Sequence, residues 1–182
     1  LGLGEGTYHQ ADMNSARILL SLVSIICANT YIQATEFHDI SAQEFRFAGL
    51  FKVFQATFRA SPEANVQDPL GDFPKELEFV YARKLKREQL IEAADKILRK
   101  TYTESELQKI GPQIAAINEA YKDVRPGDRY ALRYDPEKRT TALLRNGQLV
   151  KETPGEDFQR IYFSIWLGPD SPFDFQPINW GS

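Results

Sequence analysis

The chain has 182 residues, of which 42% are hydrophobic, 26% charged and 12% aromatic; this suits one folded globule and excludes a disordered, collagen-like or coiled-coil chain. Twenty-two Lys and Arg against 25 Asp and Glu leave a formal charge of −3, with no basic surplus of the kind that draws in nucleic acid. One Cys and two His leave no material for a zinc finger or a disulfide framework.

Residues 1–12, with Gly at 2, 4 and 6, precede the only methionine and read as upstream residues outside the fold. Met13 to Arg17 then carries one positive charge and leads into the apolar run Ile18 to Ala28, followed by a cleavage-type site at Ile32-Gln33-Ala34, with Ala28 as a second choice. This is the layout of a secretory signal peptide over residues 13–34, and it sets the expectation of a periplasmic or secreted protein. The run is about 11 residues, whereas a spanning helix needs roughly 20, so no stable transmembrane anchor is expected. The folded domain is then residues 35–182, with His38 as its one histidine and no cysteine.

Glu44 to Ala60 is rich in Phe and Val and alternates, which predicts strand structure. The alternation changes phase near Gly49, as one long strand covered on both faces or two segments meeting at a bulge would produce. Ser61 to Pro74 gathers Pro62, Pro69, Gly71 and Pro74 and reads as a loop. Glu76 to Ala82 reads as a strand, and Lys86 to Tyr102 as an amphipathic helix with Leu90, Ala93, Ala94, Ile97 and Leu98 on one face.

Thr103 and Glu106 form a capping box that opens a second helix, interrupted at Gly111-Pro112 and carried on by Ile114, Ile117, Ala120 and Tyr121. Arg129 to Tyr134 is a strand with Tyr130, Leu132 and Tyr134 on one face. Asn146-Gly147 is a hairpin turn between strands at Thr140 to Leu144 and Gln148 to Lys151. Phe158, Ile161, Tyr162, Ile165 and Trp166 mark a last helix that stops at Gly168-Pro169, after which Asp170 to Ser182 shows no period and is expected to lie over the surface. Strands, then helices, then a meander and a helix predict an α+β domain with an antiparallel sheet covered on one face.

No Gly-x-Ser-x-Gly elbow, Walker loop or dinucleotide fingerprint occurs in this domain, and one histidine is too few for a conventional metal site, so neither cofactor nor metal is expected. What stands out is cations among aromatics: Arg46, Lys52 and Arg59 in the first strand region, with Tyr81, Tyr130 and Tyr134 elsewhere. Either the cations snorkel to solvent while the tyrosines edge the core, or an apolar pocket uses one cation to orient a ligand's oxygen.

Lys52-Val53-Phe54 in an aromatic strand, Pro126-Gly127-Asp128 before a Tyr-containing strand, the Asn146-Gly147 hairpin, Pro154-Gly155-Glu156-Asp157-Phe158 and Ile165-Trp166-Leu167-Gly168 follow one another in an order that resembles the bacterial chalcone isomerase-like domain. The resemblance covers about Phe45 to Gly168 and implies an open-faced β-sandwich, a large antiparallel sheet covered by helices with a ligand cleft between. Plant enzymes of this family cyclise chalcones with an Arg, a Thr, a Tyr and an Asn, whereas non-catalytic members bind fatty acids with an Arg and a Tyr at the carboxylate. Aligned on Lys52, the threonine position falls at Phe54 and the arginine position near Ala42, four residues from Arg46; no Asn lies between Asn65 and Asn118 to complete a Tyr and Asn pair. The resemblance therefore implies a non-catalytic binder of a fatty acid or similar apolar anion, with Arg46, Lys52, Tyr81 and Tyr134 as candidate ligand residues. The alternative is an isomerase acting on an enone other than a plant chalcone.

Overall fold

A computed structural model describes residues 36–173 and 175. The leader expected over residues 13–34, the preceding residues 1–12 and the end of the tail lie outside the described residues. Six strands form one antiparallel sheet in the order of the chain: β1 (His38–Phe47), β2 (Phe51–Ala60), β3 (Lys75–Tyr81), β4 (Arg129–Asp135), β5 (Thr140–Arg145) and β6 (Gln148–Pro154). Three helices, α1 (Arg87–Thr101), α2 (Glu104–Lys109) and α3 (Gly111–Ala120), are inserted between β3 and β4, and α4 (Glu156–Leu167) follows β6. This is the α+β, open-faced arrangement that the sequence implies. No helix among the described residues is long and apolar enough to cross a membrane.

The phase change near Gly49 has a different cause from either expectation. β1 and β2 are two antiparallel strands joined by a tight turn, in which the Leu50 amide donates to the Phe47 carbonyl at 3.2 Å. Ala48 and Gly49 both hold positive φ, 51° and 70°, a pair of conformations that reverses the chain without a longer loop. β1 also begins at His38, earlier than the Phe-rich run, because its first half pairs with β2 through short polar residues that carry little alternation.

Alternation puts Phe58, Leu77, Phe79, Tyr130, Leu132 and Leu143 on the inner face, where they are buried beneath the helices. The opposite face carries charge in register: Asp39, Arg59, Glu76 and Arg133 are successive cross-strand partners. Arg59 donates to Asp39 at 2.6 Å and to Glu76 at 2.8 Å, and Arg133 donates to the other Glu76 oxygen.

The capping box forms as read, with the Thr103 amide donating to Glu106 at 2.8 Å and Gly111-Pro112 dividing α2 from α3. Both ends of the helical insertion are tied at one place. Leu85 and Val124 form an antiparallel bridge, Tyr81 donates its amide to Asp128, and Gly127 donates to Tyr81. Asp123 accepts from the Arg87 amide at 3.0 Å and from Lys86 Nζ at 2.8 Å, which anchors the first turn of α1.

Candidate functional site

Between the inner sheet face and the α1, α3 and α4 helices lies a cavity of about 480 Å³, within the range of small-molecule sites. Its helical wall is the apolar face of α1, from Leu90 through Ala94 to Ile97, and its sheet wall is Phe45, Val53, Phe54 and Phe79. The irregularity between β1 and β2 at Phe45 and Arg46 turns both Val53 and Phe54 toward the space, which strict alternation forbids. Phe45 stacks on Phe54 with ring centroids 5.2 Å apart.

The described start of the tail, expected to lie over the surface, packs one aromatic ring inward at Phe173. Phe173 packs against both Phe45 and Phe54, at 5.4 and 5.6 Å, and with Pro172 and Trp166 forms a wall shared with an adjoining cavity of about 380 Å³.

The floor is phenolic. Tyr81, Tyr121 and Tyr162 line it, each under 8% exposed. The Tyr121 and Tyr162 hydroxyls share a hydrogen bond of 3.3 Å, and the nearby Tyr130 hydroxyl accepts from the Lys122 amide at 2.9 Å. Burial raises Tyr81, Tyr121 and Tyr162 above the ordinary phenol value, so all three stay protonated at neutral pH and present donors.

The exposed members of the lining are Phe47 at the β1–β2 turn, Arg83 and Lys84 after β3, Gln89 and Ala93 on α1, and Pro172; the first four mark the mouth. Among the described residues, Arg83 and Lys84 are the only cations in the lining.

The four residues expected to bind ligand do not converge. Tyr81 lines the floor. Arg46 and Lys52 meet on the outer face instead, both bound to Glu44 at 2.5 and 2.6 Å, and neither lines the cavity. In a hairpin whose Phe residues point inward, the alternate cations point away from the cavity. Tyr134 is fully buried elsewhere and donates to Asp72 of the Ser61–Pro74 loop at 2.7 Å, with its ionisation pushed up by burial and by that carboxylate. The lining adds Arg83, Lys84, Tyr121 and Tyr162. The last two were legible as inward positions of helical stripes, whereas Arg83 and Lys84 sit in a connection with no period.

A family model described as chalcone isomerase-like matches residues 44–176. Among solved structures, a fatty-acid binding protein of Arabidopsis thaliana superposes with a TM-score of 0.56 at 14% identity, covering 74% of this chain and 81% of that chain. No curated protein matches the chain.

Proposed function

Since the chain belongs to the chalcone isomerase-like family, we propose that it is a non-catalytic binder of a fatty acid or a similar apolar anion. The observation that carries this reading is an apolar cavity with cations confined to its mouth. An ionised carboxylate at the phenolic floor would lose its hydration with no cation to replace it, so the acid end belongs at Arg83 and Lys84. The tail then runs inward along Leu90, Ala94 and Ile97, about 10 Å of helix. Each buried methylene contributes about 0.8 kcal/mol, so the tail sets affinity and the cations set orientation. Tyr81 at the floor suits a neutral oxygen or the chain end.

Protonated phenols are donors and poor bases, which favours binding over cyclisation of an enone. Export to the periplasm or outside the cell is also proposed, on the leader-type residues 13–34.

The test is displacement of a bound fluorescent fatty acid by palmitic acid and by hexadecanol, in the wild type and in the Arg83→Ala/Lys84→Ala variant. The variant is expected to lose roughly tenfold in affinity for the acid and little for the alcohol. Equal losses for both would remove the cations from the role, and no displacement by either compound would end the carrier reading.

A further inference from the structure

The large hydrophobic side chains that remain exposed among the described residues are Phe47, Leu50, Phe51, Leu149 and Val150. The up-and-down order of the strands brings all five to one end of the sheet, since the β1–β2 and β5–β6 turns are both there. Phe47, Leu50 and Phe51 form a projecting tip, 66%, 73% and 53% exposed. The last backbone bond between this edge of β2 and the chain after β3 runs from the Ala82 amide to the Val53 carbonyl, so the residues on the turn side of Val53 extend past the neighbouring strand.

This tip is ringed by positive charge. The Arg83 guanidinium lies over the Phe51 ring at 5.1 Å, Lys84 follows it, and Arg46 and Lys52 share a single carboxylate, Glu44. Arg46, Lys52, Arg83 and Lys84 stand with Glu44 at one corner of a chain whose formal charge is −3, with Asp123 within reach of the Lys84 charge. An apolar tip of three side chains is small beside the roughly 800 Å² per partner of a standard protein interface. An apolar insertion collared by Lys and Arg is instead the composition that binds the headgroup boundary of an anionic bilayer.

We propose that the β1–β2 tip docks on an anionic phospholipid surface, with Phe47, Leu50 and Phe51 entering the headgroup layer and Arg46, Lys52, Arg83 and Lys84 facing lipid phosphates. Phe47, Arg83 and Lys84 also line the cavity mouth, so docking sets that mouth against the bilayer. An apolar guest then passes between membrane and cavity without crossing water. The passage rests on the carrier reading above; the docking does not.

The experiment is flotation of the full chain with vesicles of equal parts phosphatidylcholine and phosphatidylglycerol, and with phosphatidylcholine alone, for the wild type and Leu50→Asp. Leu50 lies outside the cavity lining and is largely exposed, so the variant keeps the fold. Because every other segment is retained, the difference reports the tip alone. The wild type is expected to float with the mixed vesicles and to be released by high salt, while Leu50→Asp loses roughly tenfold or more in partitioning. Uptake of cis-parinaric acid in solution is expected to be equal for both. Equal flotation of the two proteins, or none, overturns the docking; so does a change in oligomer size on gel filtration without a change in flotation, which would make the tip a contact between chains. Tip-dependent flotation without parinaric acid uptake supports the docking and overturns the carrier reading.

Discussion

Glu76 lies directly across the strand pair from Arg133 and takes both of its nitrogens, Nε at 2.8 Å and Nη2 at 2.6 Å, on one carboxylate oxygen. Its other oxygen takes Arg59. Glu76 is 5% exposed, so Arg133 depends on an acid that water hardly reaches, and Arg59 shares that acid with Asp39 and Glu78. Glu76→Gln is expected to cost roughly 2–3 kcal/mol in urea unfolding, since the charge-assisted bonds weaken and Arg133 loses its counter-charge, while Arg59 keeps Asp39 and Glu78. Fatty-acid affinity is expected to be unchanged, because this face is turned away from the cavity.

Lys75 makes stability depend on pH. It has no solvent exposure, its ammonium donates to the Pro69 carbonyl at 3.0 Å and to the Gly71 carbonyl, and it sits 4.3 Å from the Phe73 ring centre. Burial lowers its pKa to about 7, against the opposing pull of Asp68 and Asp72. Between about pH 7 and the unfolded value near 10.4 the native state therefore binds fewer protons than the unfolded state. Stability is expected to rise with pH across that window, by up to about 1.4 kcal/mol per unit, and to fall as pH drops toward 7. Urea titrations at stepped pH are expected to show this rise in the wild type and its loss in Lys75→Met.

Ala94 on α1 borders the cavity with a single methyl group. Ala94→Trp is expected to fill existing space, lowering affinity for long-chain acids by tenfold or more while costing under about 1.5 kcal/mol of stability. Calorimetric titration together with urea unfolding separates the two effects.

Gly168 ends α4 where no side chain fits. A Cβ there would stand 2.6 Å from the Ser164 carbonyl oxygen, a backbone atom that its own helix holds in place. Gly168→Ala is expected to cost about 1–3 kcal/mol in thermal or urea unfolding. It is also expected to weaken ligand uptake, since the shift passes to Trp166 and to Phe173 at the cavity wall.

Most of the fold was legible because its elements are locally marked. The capping box at Thr103, the Asn146-Gly147 turn and the α1 stripe all formed where the residues imply. The β1–β2 turn was not, since Ala48-Gly49 lacks the Asn or Asp that usually announces a two-strand reversal. The site was legible only in part. Alternation along β3 turns Tyr81 inward, but Tyr134 obeys the same rule and is claimed by Asp72, 62 residues earlier in the chain, a pairing no local pattern records. Arg83 and Lys84 gain their place from the Leu85 to Val124 bridge, a contact between residues far apart in sequence.

That bridge has an evolutionary corollary. The helical wall leaves the sheet beside Tyr81 and returns beside Asp128, so α1, α2 and α3 amount to an outsized loop spliced into an ordinary hairpin. Substitution, lengthening or shortening within the splice can remodel the guest chamber while leaving every strand in register. A lineage of such chains can diversify its cargo cheaply, the scaffold staying constant while one interchangeable panel changes.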